Sequence, residues 1–281
     1  MIICKTVAGV QSTLNEFSKE MLKTGFVPTM GALHEGHLSL VRRAKAENDR
    51  VIVSIFVNPT QFNNPADLKN YPRMPEKDFE MLESEGVDVL FFPSEKEIYP
   101  NGIEAKSAID FGQLEKVMEG KFRPGHFKGV AQVVSRLFEI TDPDNAYFGE
   151  KDYQQLAIIR ELVEQKKYRV KITGGPTMRE ADGLAMSSRN LLLTPDLRQE
   201  AAKISQALFH VRDDRGKKSL KELKSEAVDI IERSGLLKVE YLEVADAKTL
   251  QPHETWDDKN TLRCLTAVQA GNIRLIDNVE V

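Results

Sequence analysis

Cysteine is scarce in this sequence: only Cys4 and Cys264 occur in 281 residues, far apart and in no C-x-x-C pair. Two lone thiols give no disulfide framework and suit a reducing compartment. A basic excess is also missing, with 39 Lys and Arg against 43 Asp and Glu and a net charge of −4. A general nucleic-acid binder normally carries such an excess, so no nucleic-acid partner is expected. A local basic pocket for a small anion is still compatible with that balance. Long apolar runs are absent as well. The longest near-apolar stretch, VIVSIFV at Val51 to Val57, falls far short of the about 20 residues that span a bilayer. The opening MIICKTV carries Lys5 early and lacks the apolar segment of a signal peptide. A cytoplasmic protein with no membrane partner is expected.

The residues that are present supply a sizeable core and a well-solvated surface, at 41% apolar and 29% charged. The length suggests about two domains of roughly 150 residues each. Gly25–Pro28 reads as a short strand, and His37–Asn48 as a helix with Leu38, Leu40, Val41 and Ala44 on one side. Val51–Val57 and Val87–Pro93 read as strands buried on both faces, with a helix over Pro75–Gly86 between them. Val130–Ile140 reads as a helix, Asn145–Phe148 as a strand, Asp152–Gln165 as a helix and Arg169–Thr173 as a strand. Repeated β-α-β order predicts an α/β fold, a Rossmann-like parallel sheet covered by helices. Ligands in such sheets bind beyond the C-terminal ends of the strands. TGGPT at Thr173–Thr177 interrupts the pattern. After it come charged helices at Pro195–Arg212 and Ser219–Ser234, then strands at Val239–Val244, Thr261–Val268 and Ile273–Ile276. This predicts a first domain over 1–175 and a smaller α+β domain over 176–281.

VPTMGALHEGHLSLVRRA, Val27 to Ala44, sets His34 and His37 among glycines where a strand turns into a helix. Positions i and i+3 on one helical face could hold a metal, but no cysteine lies nearby to complete a zinc site. Scattered histidines with no special role are the ordinary alternative. The glycines and the helix start favour a phosphate site, where backbone N–H groups, the helix dipole and imidazole donors act together. Gly31-x-x-x-x-Gly36 is followed by His37-Leu38 instead of Lys-Ser/Thr, so it is no P-loop, and G-x-G-x-x-G is missing.

His34-Glu35-Gly36-His37 is an H-x-G-H signature of nucleotidyltransferases. Together with IFVNPTQF, FRPGHFKGV, YFGEKDYQQ and MREADGLAMSSRN, the stretch resembles the pantothenate synthetase (pantoate–β-alanine ligase) family. The likeness runs from Phe26 to Asn190 and continues towards the C-terminus. It implies a ligase that makes pantoyl adenylate from ATP and pantoate, releases pyrophosphate, and lets β-alanine displace AMP. Pantoate is already a carboxylate at neutral pH, so the first attack needs no general base. Positioning and preorganised positive donors must supply most of the acceleration.

By resemblance, Met30, Gly31, Ala32, Leu33, His34, Glu35, Gly36 and His37 form the ATP-binding turn. His34 and His37 would act there as donors to phosphate, strengthening in the transition state. Gln61 and Gln155 would bind pantoate, since a neutral amide offers donors and an acceptor without repelling an anion. Gln61 would also meet β-alanine. Gly149, Glu150, Lys151 and Asp152 would bind ATP, with Lys151 on the phosphates. An alternative reading makes this a charged turn in which Asp152 caps the next helix. Met186, Ser187, Ser188 and Arg189 suit a triphosphate through two hydroxyls and a guanidinium fork, and Met178 would lie against the nucleotide. The catalytic set is then His37, His34, Lys151 and Arg189, with the second domain expected to close over the nucleotide. The Tyr71-Pro72-Arg73 segment suggests a lid, and Arg123, His126 and Lys128 form a basic cluster of unassigned role. Magnesium is expected with the phosphates, with no protein ligand assigned. A homodimer is implied by the family alone. Another H-x-G-H nucleotidyltransferase is the nearest alternative. A phosphorylated acceptor would call for more cations than Gln61 and Gln155 supply.

Overall fold

Residues 1–103 and 109–281 are described by a computed structural model. Along the chain run β1 (Ile2–Cys4), α1 (Val7–Lys19), β2 (Thr24–Thr29), α2 (Glu35–Glu47), β3 (Arg50–Ile55), α3 (Pro65–Asn70), α4 (Pro75–Ser84) and β4 (Val89–Phe91). Then follow α5 (Glu95–Ile98), α6 (Met118–Phe122), α7 (His126–Thr141), β5 (Asn145–Gly149), α8 (Tyr153–Lys166) and β6 (Lys171–Gly175). The last elements are α9 (Pro195–Asp213), α10 (Leu220–Glu232), β7 (Leu237–Asp246), β8 (Leu262–Ala270) and β9 (Ile273–Glu280). They group into two units. The first comprises Met1–Phe111, Arg123–Glu150 and Gln155–Pro176; the second comprises Gly112–Phe122, Lys151–Gln154 and Thr177–Val281.

The first unit holds the expected parallel sheet, in the order β1-β4-β3-β2-β5-β6. The strands are apolar on both faces because helices cover both: Val27, Val53, Leu90 and Tyr147 are all fully buried. Helix α2 buries Leu38, Leu40, Val41 and Ala44, the stripe legible in its spacing. It starts at Glu35, two residues before the expected His37, because His34 caps it. Helix α7 begins at His126, not Val130, with His126 and Phe127 buried in the same face as Val133, Val134 and Leu137. Strand β3 stops at Ile55, and the Phe56 N–H then donates to the Thr29 carbonyl (3.0 Å). Strand β6 runs on through Gly175. The periodicity did not signal β1 and α1. Ile2 and Ile3 are 52% and 44% exposed, and Val10 is the buried residue of α1, so neither leaves a clear apolar pattern.

The second unit is a three-stranded antiparallel sheet, β7-β8-β9, with α9 and α10. Its core is built from Ile204, Leu208, Leu223, Ile231, Val244, Cys264 and Val268, each fully buried. A capping box between Ser219 and Glu222 starts α10. Two pieces of this unit lie before residue 176. The buried Gln154 explains part of this: its Oε1 accepts from Glu119 N (3.0 Å), and its Nε2 donates to the carbonyls of Leu114 (2.7 Å) and Val117 (3.0 Å). The buried Glu119 carboxylate accepts in turn from Tyr241 Oη (2.9 Å) on β7 and from the Arg274 guanidinium (2.7 and 2.8 Å) on β9. Among the described residues no helix is long and apolar enough to cross a membrane.

Candidate active site

In the first unit, β2 lies between β3 and β5 and all three are parallel. Their C-terminal ends therefore share one sheet edge, side by side. From β2 the chain goes to β3 on one side, whereas β5 lies on the other, so this edge is a topological switch point, where open α/β sheets bind ligands. It carries the turn after Thr29, the Asn58–Gln61 turn and Gly149 at the end of β5 with Glu150 just beyond it.

The turn after β2 is wound tightly. Gly31 (φ 80°) and Ala32 (φ 47°) are both left-handed, and a Cβ on Gly31 would sit 3.0 Å from Asp78 Oδ2. The Asp78 carboxylate, buried on α4, accepts from Ala32 N (2.9 Å) and Leu33 N (2.7 Å). These two amides are thus committed to Asp78. Burial pushes the Asp78 carboxyl above the usual carboxylate range, against those same hydrogen bonds. Glu35 turns its carboxylate to Arg42 on its own helix, which offsets its charge.

His34 is extended and caps α2: its Nδ1 accepts from Gly36 N (3.2 Å), while His37 Nδ1 accepts from His34 N (3.4 Å). The rings lie 4.1 Å apart. With Nδ1 as acceptor, the neutral imidazole carries its proton on Nε2. Both rings are then Nε2–H donors, a form able to donate to an anion.

Gln61 ends the short turn Pro59–Gln61. Its Oε1 accepts from Asn58 Nδ2 (3.1 Å) and its Nε2 lies 3.0 Å from Met30 Sδ. This orients the amide so that the NH2 faces the β2 turn and the oxygen faces away. The Gln61 carbonyl accepts from His126 Nδ1 (2.7 Å) and from Arg123 (3.3 Å), so these two members of the basic cluster brace the turn from behind. Lys128 is exposed. Gly129 admits the turn: a Cβ there would lie 2.3 Å from the Thr60 oxygen. Arg73 donates to the carbonyls of Leu68 (3.1 Å) and Tyr71 (2.9 Å), capping the end of α3. Gln155, on α8, is half-buried, while its neighbour Gln154 is spent on structure.

The remaining candidates lie in the second unit. Lys151 and Asp152 belong to a 3₁₀ turn, with Lys151 Nζ 3.7 Å from Asp152 Oδ2; α8 starts one residue after Asp152. Met178 and Met186 are paired, with Met186 N donating to the Met178 carbonyl (2.9 Å). Ser187 caps the short helix Ser188–Leu192 through Arg189 N (3.3 Å). Ser188 is buried, while Ser187 and Arg189 are half-buried. Sequence reading missed Asn58 and Asp78, although both stand inside quoted or neighbouring motifs; a buried polar residue beside a motif is the signal that could have found them.

A switch-point edge lined by imidazole and amide donors, in a chain with a separate antiparallel unit, defines a nucleotide-using α/β enzyme. The profile of the pantoate–β-alanine ligase family matches residues 2–280. The pantothenate synthetase of Bacteroides thetaiotaomicron is 46% identical over 281 residues, covering 100% of this chain and 99% of that protein. The crystal structure of pantothenate synthetase from Thermus thermophilus superposes with a TM-score of 0.93 at 42% identity, covering 100% of this chain and 99% of that one. That of pantoate–β-alanine ligase from Francisella tularensis, complexed with β,γ-ATP and β-alanine, gives 0.84 at 42% identity and covers 100% and 97%. The chain belongs to the pantoate–β-alanine ligase family. It is a ligase that forms a carbon–nitrogen bond.

Proposed function

We propose that this enzyme joins pantoate to β-alanine in two steps at the edge formed by β2, β3 and β5. In the first, a pantoate carboxylate oxygen attacks the α-phosphorus of ATP and pyrophosphate leaves. In the second, the β-alanine amine attacks the acyl carbon, the proton leaves the nitrogen, and AMP departs. The observation that carries this reading is the inward turn of both Nδ1 atoms, which makes His34 and His37 Nε2–H donors at the switch point. They stabilise charge that grows on the phosphates, while Lys151 and Arg189 neutralise the leaving pyrophosphate. Gln61, its NH2 set by Asn58, donates to pantoate, and Gln155 holds the acid from a second side. Neither adds a negative charge. Met30, Gly31, Ala32, Leu33, Gly36, Gly149, Glu150, Met178 and Met186 shape the nucleotide's surroundings.

Magnesium would come with ATP and neutralise charge on its phosphates. A cytoplasmic homodimer is the expected state, and the buried free thiols Cys4 and Cys264 fit a reducing compartment. Purified protein should release AMP and pyrophosphate, with turnover that needs both pantoate and β-alanine. Release of ADP, or turnover without pantoate, overturns the proposal.

A further inference from the structure

We propose that Asp277 and Asn278, neighbours on β9, are positioning residues that hold the Met186–Arg189 segment and Lys151 for ATP. Neither residue lies in a nucleotide-binding motif, and both are buried. The inference rests on the reading that Lys151 and Arg189 meet the phosphates.

Asp277 acts through Arg179. Its two oxygens accept from Arg179 Nη1 (2.7 Å) and Nη2 (2.9 Å) in a fork, the geometry that makes a carboxylate–guanidinium pair directional. The same guanidinium donates to the Gly183 carbonyl (3.0 Å) and lies 5.0 Å from the centre of the Phe209 ring. Arg179 opens a small hairpin. Glu180 N donates to the Leu184 carbonyl (2.8 Å), Gly183 N to Glu180 (2.9 Å) and Met186 N to Met178 (2.9 Å). The returning arm of that hairpin delivers Met186, Ser187, Ser188 and Arg189. One buried carboxylate on β9 therefore sets the root of the whole phosphate-facing segment.

Asn278 holds the other one. Its Nδ2 donates to the Lys151 carbonyl (2.9 Å), and its Oδ1 accepts from Arg263 Nη1 (2.6 Å). The Arg263 guanidinium stacks 4.0 Å from the centre of the Tyr153 ring, two residues beyond Lys151. The 3₁₀ turn that carries Lys151 is thus gripped at its backbone and at its next aromatic side chain. Adjacent strand residues point to opposite faces, so β9 can hold two segments with two consecutive side chains. The Asp277 carboxylate also accepts from Asn278 N (2.7 Å), which links the two grips.

The test compares steady-state kinetics of Asp277→Asn and Asn278→Asp with the parent enzyme, following AMP release while ATP, pantoate and β-alanine are varied in turn. Asn278→Asp keeps an acceptor for Arg263 and replaces the donor to Lys151 with a charged oxygen that repels that carbonyl. Both variants should raise the KM for ATP by about tenfold and leave those for pantoate and β-alanine within about twofold, since displaced groups lose binding only to their own substrate. If Asp277→Asn does not fold, Arg179→Lys keeps the charge, loses the fork, and should show the same selective rise. An unchanged ATP KM in folded variants, or an equal rise for all three substrates, overturns the proposal. Lys151→Ala and Arg189→Ala serve as controls. If they leave ATP kinetics unchanged, the phosphate roles fail first and this inference fails with them.

Discussion

Asparagine in place of Asp78 would probe how the turn between β2 and α2 is held. The parent carboxylate is 2% exposed and receives two backbone donors, Ala32 N and Leu33 N, one on each oxygen. Asparagine has one acceptor oxygen, so its NH2 must oppose the second N–H. A buried N–H left without a partner costs about 1–3 kcal/mol, and the surviving bond loses its charge, about 1 kcal/mol more. Relief of the carboxylate's desolvation offsets part of this, leaving a net loss of about 2 kcal/mol. In a domain of this size each kcal/mol moves the midpoint by about 2–4 °C, so the variant should melt about 4–8 °C lower. Activity should fall further. Gly31 and Ala32 are left-handed, and Ala32 carries a cost there that its bond to Asp78 offsets. A released turn moves His34 and His37, and a shift of about 1 Å at such a site costs up to about 100-fold in rate.

The pH dependence of stability has a definite sign. Burial raises the Asp78 pKa above the usual carboxylate value, so the folded state binds this proton more tightly than the unfolded chain. Stability from this group is therefore gained as pH falls, and lost as pH rises through the raised value. The asparagine variant lacks that titration, so its melting-temperature deficit should be larger below the raised pKa than above it. Melting curves taken on both sides of that titration, together with AMP-release rates, are the assay. A variant that melts within about 1 °C of the parent and keeps its rate would refute the reasoning, because about 2 kcal/mol cannot hide in that interval.

Two further outcomes are expected from the packing. Gly129→Ala places a methyl 2.3 Å from the Thr60 oxygen; it should cost about 1–3 kcal/mol in a urea melt and raise the pantoate KM by displacing Gln61, and an unchanged KM would separate that turn from the acid. Glu119→Gln weakens the buried acceptor of Tyr241 and Arg274, while Glu240 still pairs with Arg274. Unfolding of the second unit should become easier by about 3 kcal/mol, the low end for a broken buried pair; no change in the urea midpoint would deny that network its role.

Local features can be read from the residues alone. The apolar stripes of α2 and α7 and the buried runs of β3 and β4 announce their elements, because helix and strand periodicity are written within a few residues. HEGH, NPTQ, GEKD and MSSR are legible for the same reason, as is their order along a β-α-β chain. Partners far apart along the chain meet only when the fold brings them together. Asp78 meets the turn from more than forty residues away, and Asp277 meets Arg179 from almost a hundred. No window of sequence contains both partners of either pair. Residues 112–122 and 151–154 join the second unit through Gln154, Glu119 and Asn278, so the linear boundary near Pro176 describes only part of the division. Buried polar groups must find partners wherever the fold brings them. That requirement, which no local pattern encodes, sets how Lys151 and the Met186–Arg189 segment are held.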